Sequence, residues 1–212
     1  MTGQNIIDTF HTYIGDTSNL STAEELILVN KCLRTIYNIL PWEFLKKPAT
    51  GTVTTAGGVS YITLPTDFKH LAVNKNYTEN NYSDDNNMAN RVIYIGTNYK
   101  PYKVINFSDR RNYRNQDGYA YLDLAAGKLY FTYTPSETSY EFDYIYSPAD
   151  ITVATSPLFN SDYHWIVPHL MAVDSTIMDL FDKARSYAKE NNSKYLEGLA
   201  QLRYLNSQYL NN

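Results

Sequence analysis

The four histidines and the single cysteine are the side chains whose spacing could support metal or thiol chemistry. His164 and His169 are five residues apart, which places them on different sides of a helix and spoils metal chelation. His11 and His70 each stand alone in the sequence. Cys32 falls on the apolar side of a predicted helix, so we expect a buried residue rather than a nucleophile. These residues predict neither a metal centre nor a catalytic thiol.

Motifs of the common enzyme classes are missing from the sequence. It contains no G-x-S-x-G nucleophile turn, no P-loop, no G-x-G-x-x-G loop and no H-E-x-x-H helix. Asp84 and Asp85 could bind a cation, but the spacing of a calcium loop is absent and a solvated loop is the preferred interpretation. We therefore predict that the protein is not an enzyme and uses no cofactor. The two carboxylates of a glycosidase have no fixed spacing, so that one class stays open.

Tyrosine is the unusual feature of the composition, with 21 residues. Its apolar body and polar tip suit half-wet sheet faces and protein interfaces. One predicted strand places four rings on the same face, because alternate side chains of a strand point the same way. These rings are Tyr140, Phe142, Tyr144 and Tyr146. A carbohydrate-binding or glycoside-cleaving β-domain is therefore the alternative function.

The segment from Asp109 to Arg114 is the one dense basic stretch, and it carries Arg110, Arg111 and Arg114. It could contact nucleic-acid phosphates, with Tyr113 beside a base, or it could form salt bridges with an acidic neighbouring subunit. The formal net charge of the chain is −4, which argues against a free-standing DNA binder. Because the rest of the chain is acidic, we favour the subunit contact over DNA; a solvated loop remains open.

Helical patterns occupy both ends of the chain. Residues 4–14 form a predicted amphipathic helix that Gly15 can end, and a capping box from Ser21 to Glu24 opens a second helix that runs to about Leu40. At the other end, Ser161 or Asp162 is predicted to cap a helix that Pro168 either starts or kinks. Asn191 and Asn192 can bend the chain before a last helix. The polar segment 206–212 is predicted to order only on binding.

Strand patterns fill the middle of the chain. Residues 51–55 and 60–64 predict a hairpin around Ala56-Gly57-Gly58, and 74–90 reads as a long polar loop. Further short strands between 91 and 146 bring the number to six or seven, which suits a small sandwich or barrel. The predicted fold class is α+β: a helical bundle from N- and C-terminal helices with an inserted antiparallel β module. The predicted boundaries are 1–48, 49–147 and 148–212, because two distant apolar helical stripes most simply bury each other.

A run of residues around this hairpin resembles a known family. The pattern is a helix, then P-W-x-F-L, then a hairpin that ends in L-P-x-D-F. It resembles the head-to-tail adaptor, or connector, ring proteins of short-tailed bacteriophages, including those of crAss-like phages. The detailed likeness covers about residues 22–72. The residues that carry this fold signature are Trp42, Phe44, Leu45, Thr52, Thr54, Gly57, Tyr61, Leu64, Pro65, Asp67 and Phe68.

The resemblance implies a virion structural protein in the neck between head and tail, assembled in the host cytoplasm. Such proteins form homo-oligomeric rings, here expected to be twelve-fold, between the portal protein and other tail or ring proteins. Genomic DNA passes through the channel without sequence-specific binding, and no membrane is involved. In this context the alternative is a carbohydrate-active β-domain protein of the tail.

The resemblance also suggests contacts for assembly. C-terminal segments of such adaptors reach the portal, so Tyr204, Leu205, Tyr209 and Leu210 are the expected portal-docking residues. The three arginines are the expected inter-subunit contact. The isolated chain is expected to be largely monomeric and to become a ring on the portal. The N-terminal residues lack a signal-peptide pattern, and no apolar run is long enough to predict a membrane span.

Overall fold

A computed structural model describes residues 1–15, 20–72 and 91–211. The fold is mixed α+β, with helices at both ends and a near-barrel β-sheet in the middle. The chain divides into two compact units, one formed by residues 1–44 with 149–212 and the other by 45–148. The predicted loop 74–90, with Asp84 and Asp85, lies outside the described residues.

Both predicted N-terminal helices form, and the predicted capping box at Ser21 is confirmed, whereas the one at Thr2 was not predicted. Thr2 and Ser21 each cap a helix through a capping box, and Gly15 ends the first helix in the left-handed conformation, with φ 71°. The helices of this unit are α1 (Gly3–Ile14), α2 (Thr22–Ile39), α3 (Ile166–Ala172), α4 (Ser175–Leu180), α5 (Asp182–Ser186) and α6 (Ala188–Asn211).

The C-terminal helices differ from the prediction. Asn160, rather than Ser161 or Asp162, caps the 3₁₀ turn that leads into α3. Pro168 lies in the first turn of α3, where its missing N–H is harmless. Three short helices, α3 to α5, replace the single predicted one.

Helix α6 also corrects two expectations. Asn191 and Asn192 lie inside it, so no bend separates them from the residues that follow. The helix continues to Asn211, although the sequence suggested a polar tail from Asn206. The Asn206 side chain is buried, and its Oδ1 accepts a hydrogen bond from the backbone N of Glu43 at 2.9 Å. The start of this segment is therefore part of the helical fold.

Helix α3 is the centre of the helical unit, since it contacts α1, α2 and α6. Ile166, Val167 and Met171 are fully buried. Helix α6 approaches α3 at Gly198, where an added Cβ would lie 2.2 Å from Cγ2 of Ile166 and 2.7 Å from the Trp165 ring. Only glycine fits this crossing without displacing buried side chains.

The second unit is one sheet with nine strands among the described residues. They are β1 (Lys46–Thr52), β2 (Thr54–Ala56), β3 (Val59–Thr63), β4 (Phe68–Leu71), β5 (Val92–Ile95), β6 (Lys100–Ile105), β7 (Tyr119–Asp123), β8 (Lys128–Phe131) and β9 (Ser139–Tyr146). Their order is β1-β9-β5-β6-β7-β8-β3-β2, and β4 also pairs with β9. The predicted hairpin is confirmed as β2 and β3.

The two ends of this sheet meet at a single residue. Strands β1 and β2 lie at opposite ends of the strand order, yet only Val53 separates them in the chain. The sheet must therefore curl back on itself into a near-barrel. Residues 51–55, predicted as one strand, are in fact divided here between two strands. The backbone N of Val53 donates to the carbonyl of Thr138 at 2.6 Å, which fixes the corner.

The prediction of a wholly antiparallel module is wrong at one pair. Strands β6 and β7 are parallel, with Lys103 opposite Tyr119 and Ile105 opposite Tyr121. A parallel pair needs a crossover connection, because the chain must return to the same end of the sheet. The 3₁₀ turn Phe107–Arg111 forms part of that crossover, which places the arginine segment beside the sheet.

Asp67 of the fold signature joins three strands. Its carboxylate accepts hydrogen bonds from Lys47 Nζ of β1 at 2.9 Å and from the Tyr144 hydroxyl of β9 at 2.8 Å. Its carbonyl accepts from the backbone N of Ser147 at 2.7 Å, next to the start of β4. The Lys47 hydrogen bond, assisted by that of Tyr144, holds the Asp67 pKa below its ordinary value of 3.8. Burial and the Asp67 carboxylate raise the Tyr144 pKa to about 12.

We expect Gly198→Ala to destabilise the helical unit. Alanine normally stabilises a helix interior relative to glycine by about 1 kcal/mol. Here overpacking against Ile166 and Trp165 should reverse the sign and lower the free energy of unfolding by about 1–3 kcal/mol. Chemical denaturation measures this, with Asn192→Ala at an exposed site of the same helix as control. A stabilised Gly198→Ala variant would contradict the close crossing.

We expect Asp67→Asn to lower the free energy of unfolding at pH 7 by about 1 kcal/mol, because a partly exposed charged hydrogen bond is lost. The Asp67 pKa is lowered in the folded state, so its contribution is present above pH 3.8 and disappears as the pH falls through the folded pKa. The difference between variant and native protein should therefore shrink in thermal melts near pH 3. Asp143→Asn, in an exposed pair, is the control and should change stability less.

Candidate interaction surfaces

The two histidines of the C-terminal region are used inside the helical unit. His164 is buried, donates from Nε2 to the carbonyl of Phe159 at 2.8 Å and accepts from the Met1 amino group at 2.9 Å. His169 donates to Oδ1 of Asn191 at 2.9 Å. Burial lowers the pKa of both imidazoles. They have separate partners and form no common site.

His11, His70 and Cys32 are likewise buried or bound to neighbouring groups within the fold. His11 pairs with the buried carboxylate of Glu25, and His70 contacts the carbonyl of Leu71 at 3.1 Å. Cys32 is buried, and burial raises its pKa to about 12, so its thiol stays protonated at neutral pH. Within the described ranges, no group of three or more acidic, histidine or cysteine side chains is arranged to hold a metal ion. The helices described there are too short or too polar to cross a membrane.

The tyrosine face proposed for carbohydrate binding points into the near-barrel. Phe142 and Tyr144 belong to its core, with 2% and 5% of their surface exposed. Tyr140 and Tyr146 are partly buried and pack against the same core. The Tyr140 ring also fills the space beside Gly51 in the paired strand, where a Cβ would lie 2.7 Å from its hydroxyl. This face is unavailable to a sugar, so the reason for the alternative function is wrong.

The other fold-signature residues serve the two units in different ways. Trp42 is fully buried in the helical unit, donates to the carbonyl of Ile36 at 2.7 Å and stacks on Phe44. Gly57 forms the hairpin turn with φ 60°. Phe68 stacks on Tyr144 and packs against the barrel core, beside the Asp67 hydrogen bonds. These residues are structural, whereas Thr52 and Thr54 are exposed and Tyr61 lies on the outer face of β3.

The three predicted arginines lie together around one groove of the β unit. The arginine groove has a volume of about 570 Å³. Its lining is Gly58, Val59, Ser60, Arg110, Arg111, Arg114, Asn115, Tyr121, Phe131, Thr132, Tyr133 and Thr134, with no acidic residue among them. Arg111 and Arg114 are exposed and have no hydrogen-bond or ion-pair partner in the part of the chain that the structure describes. The groove therefore offers two uncompensated positive charges.

Local hydrogen bonds hold the arginine segment against the sheet. Asn115 adopts a left-handed conformation, with φ 62°, and its backbone N donates to the carbonyl of Thr132 at 3.0 Å. The Thr132 hydroxyl returns a bond of 2.6 Å to the carbonyl of Gln116. Arg110 differs from the other two arginines, since it donates to the carbonyl of Phe107 and lies 3.8 Å above that ring. It is a structural member of the segment.

An outward row of rings, which we call the aromatic ladder, crosses the sheet next to this groove. Tyr61, Tyr130 and Tyr121 stand opposite one another on β3, β8 and β7, with ring centroids 5.9 and 5.5 Å apart. Phe107 extends the row, 5.8 Å from Tyr121. Lys128 lies 3.9 Å above the Tyr61 ring at one end, and the Phe107–Arg110 contact closes the other. Aromatic and arginine side chains are enriched in protein interfaces.

Sequence reasoning missed this ladder as a surface. The alternation in 119–123 and 128–131 separates two faces, and Ala120 and Leu129 on one of them indicate the inner side. That signal could have placed Tyr121 and Tyr130 outside. The pairing of β3 with β8, which adds Tyr61, was not visible because it joins residues distant in the sequence.

The residues predicted to dock on the portal all lie in the last part of α6. Leu205 lines a groove of about 430 Å³ with Leu202, Phe44, Glu43, Asn160 and Asn206. Tyr204 is 66% exposed. The side chains of Tyr209 and Leu210 are outside the described part of the structure. The structure thus brings Leu205 to a partly apolar groove and leaves Tyr204 in solvent.

Comparison with protein-family models identifies a match to this chain. The family model for the SU10 adaptor protein matches residues 1–210. The matched range includes the whole β unit, all but the last two residues of the helical unit, and all candidate contact residues described above. A search of curated proteins finds no match.

We expect the double variant Arg111→Glu/Arg114→Glu to fold with native stability, because exposed unpaired side chains contribute within about 0.5 kcal/mol. Arg110→Ala should be more destabilising, by about 1 kcal/mol, since it loses a hydrogen bond and the contact with Phe107. Denaturation curves for the two variants measure the contrast. Equal losses would mean that Arg111 and Arg114 also stabilise the β unit.

Proposed function

Because this chain belongs to the SU10 adaptor protein family, we propose that it is a structural adaptor of a phage virion and forms a ring between the portal and the tail. The observation that carries this proposal is the family match across residues 1–210. The engagement of the histidines and of Cys32 in internal contacts agrees with a structural role. Its partners would be further copies of itself, the portal protein and other tail or ring proteins.

The proposed ring surrounds the DNA channel in the neck, and its copies number twelve. This finer description follows the resemblance to adaptors of short-tailed and crAss-like phages. The net charge of −4 supports a channel protein that does not retain DNA, since like charges repel phosphate. Assembly in the host cytoplasm and location in the neck belong to the same proposal.

We assign portal docking to the end of α6. Tyr204 is exposed, and Leu205 lines a groove that also contains Leu202 and Phe44. Apolar and aromatic side chains around a concave surface are the usual anchors of protein contacts. Tyr209 and Leu210 follow on the same helix and are included among the docking residues from the sequence alone. A truncation that tests this assignment must keep α6 intact up to Asn206, because that side chain is buried and hydrogen-bonded.

A shortened chain tests the docking assignment. Deleting 208–212 keeps Asn206 and should leave the fold intact, but it removes Tyr209 and Leu210 and should abolish co-sedimentation with the portal of the same phage. Deleting only 211–212 keeps both residues and is the matched control. Full portal-bound rings from the 208–212 deletion would refute the docking assignment. Failure of the native chain to bind the portal would refute the adaptor role itself.

A further inference from the structure

A second charged patch lies on the outer face of β9. Glu141 and Asp143 are exposed, while alternate side chains of this strand are buried in the core, so both carboxylates point away from the barrel. Tyr94 stands directly opposite Glu141 on β5. Its ring meets that of Tyr99 edge-on at 6.2 Å, and Tyr99 is 59% exposed. We call Glu141, Asp143, Tyr94 and Tyr99 the acidic patch.

The acidic patch complements the arginine groove in charge and in composition. Glu141 has no hydrogen-bond or ion-pair partner within the described ranges, as is true of Arg111 and Arg114. Asp143 pairs with Lys46 at 3.3 Å. The groove places Arg111 and Arg114, and the acidic patch places Glu141, next to tyrosine rings that are half-buried or exposed. The positive charges of the groove therefore match the negative charge of the acidic patch.

The strand order places these two patches on opposite sides of the near-barrel. Strand β9 is second in the order, and β7, β8 and β3 are fifth, sixth and seventh. Because the sheet curls until β2 returns to β1, strands about four places apart face in opposite directions. One unit therefore presents a positive aromatic face on one side and an acidic aromatic face on the other.

We propose that the arginine groove and aromatic ladder of one copy bind the acidic patch of a second copy. Arg111 and Arg114 lie against Glu141, while the ladder packs against Tyr94 and Tyr99. The contact is heterologous, since different faces meet, and a closed ring forms when the rotation between copies closes. This inference rests on the proposed ring and names the surfaces through which its copies join.

The ladder geometry favours a protein over nucleic acid in this contact. Tyr121 and Tyr130 stack on each other, and Tyr61 is tilted by 56° against Tyr130. Cations lie over the two terminal rings of the row. Bases stack on free aromatic faces in single-strand binding proteins. Here Tyr130 covers one face of Tyr121, and a cation covers one face of each terminal ring. The three tyrosines are half-buried, and such rings suit the half-polar contacts of a protein interface.

Cross-linking of single-cysteine copies tests this pairing. Copies that carry Arg111→Cys are mixed with copies that carry Glu141→Cys. The mixture is treated with a short bismaleimide, once without the portal and once in its presence. Cys32 is buried and has a raised pKa, so only the introduced thiols react. The mixture should cross-link about tenfold or more faster than the control pair Arg111→Cys and Glu197→Cys, because neighbours hold the thiols at high effective concentration. Equal rates under both conditions would overturn the inference.

Charge exchange provides an independent readout of the same contact. Arg111→Glu/Arg114→Glu copies and Glu141→Arg copies should each lose about tenfold or more in association, since attraction becomes repulsion. A mixture of the two should recover, because each altered face then meets an opposite charge. Native association of the Glu141→Arg copies alone would overturn the inference. Portal binding, measured in the same samples, separately reports on the proposed function.

Discussion

Closure of the sheet at Val53 is the constraint on which the β unit depends. One stretch of chain supplies the strands at both ends of the strand order, so the sheet can form only if it curls through nearly a full turn. Closure protects strand edges that would otherwise be open to aggregation. It also determines the direction of every side chain, since one face of each strand must fill the interior. The buried tyrosines of β9 and the outward ladder of β3, β8 and β7 are both consequences of this one corner.

Local signals in the sequence predicted the local structure well. The capping box at Ser21, the left-handed glycine at Gly15 and the Gly57-Gly58 turn are each encoded by a few neighbouring residues. The parallel pairing of β6 with β7 was missed, because register between distant segments leaves no local mark. The alternation of side chains in β9 separated its two faces correctly. Which of these faces points inwards depended on closure of the sheet. The ring face proposed to bind carbohydrate was wrongly assigned to the surface for this reason.

The candidate contact residues show the same limit. The sequence identified the cluster of Arg110, Arg111 and Arg114, because these charged residues lie close together along the chain. It did not distinguish the engaged Arg110 from the other two, since that difference depends on the carbonyl and ring of Phe107. In the helical unit, the end of α6 was mistaken for a tail because its polar composition hides the buried Asn206.

The aromatic residues are divided between the units in a way that affects spectroscopy. Both tryptophans, Trp42 and Trp165, belong to the helical unit, while the ladder and barrel core contain tyrosine and phenylalanine. Tryptophan emission excited at long wavelength therefore reports on the helical unit alone. The tyrosines of the β unit, including those of the ladder, add to the near-ultraviolet circular dichroism of the protein but not to that emission. The native protein thus carries an intrinsic optical label for the helical unit, and a comparison of the two signals follows the order in which the units lose structure without adding a dye.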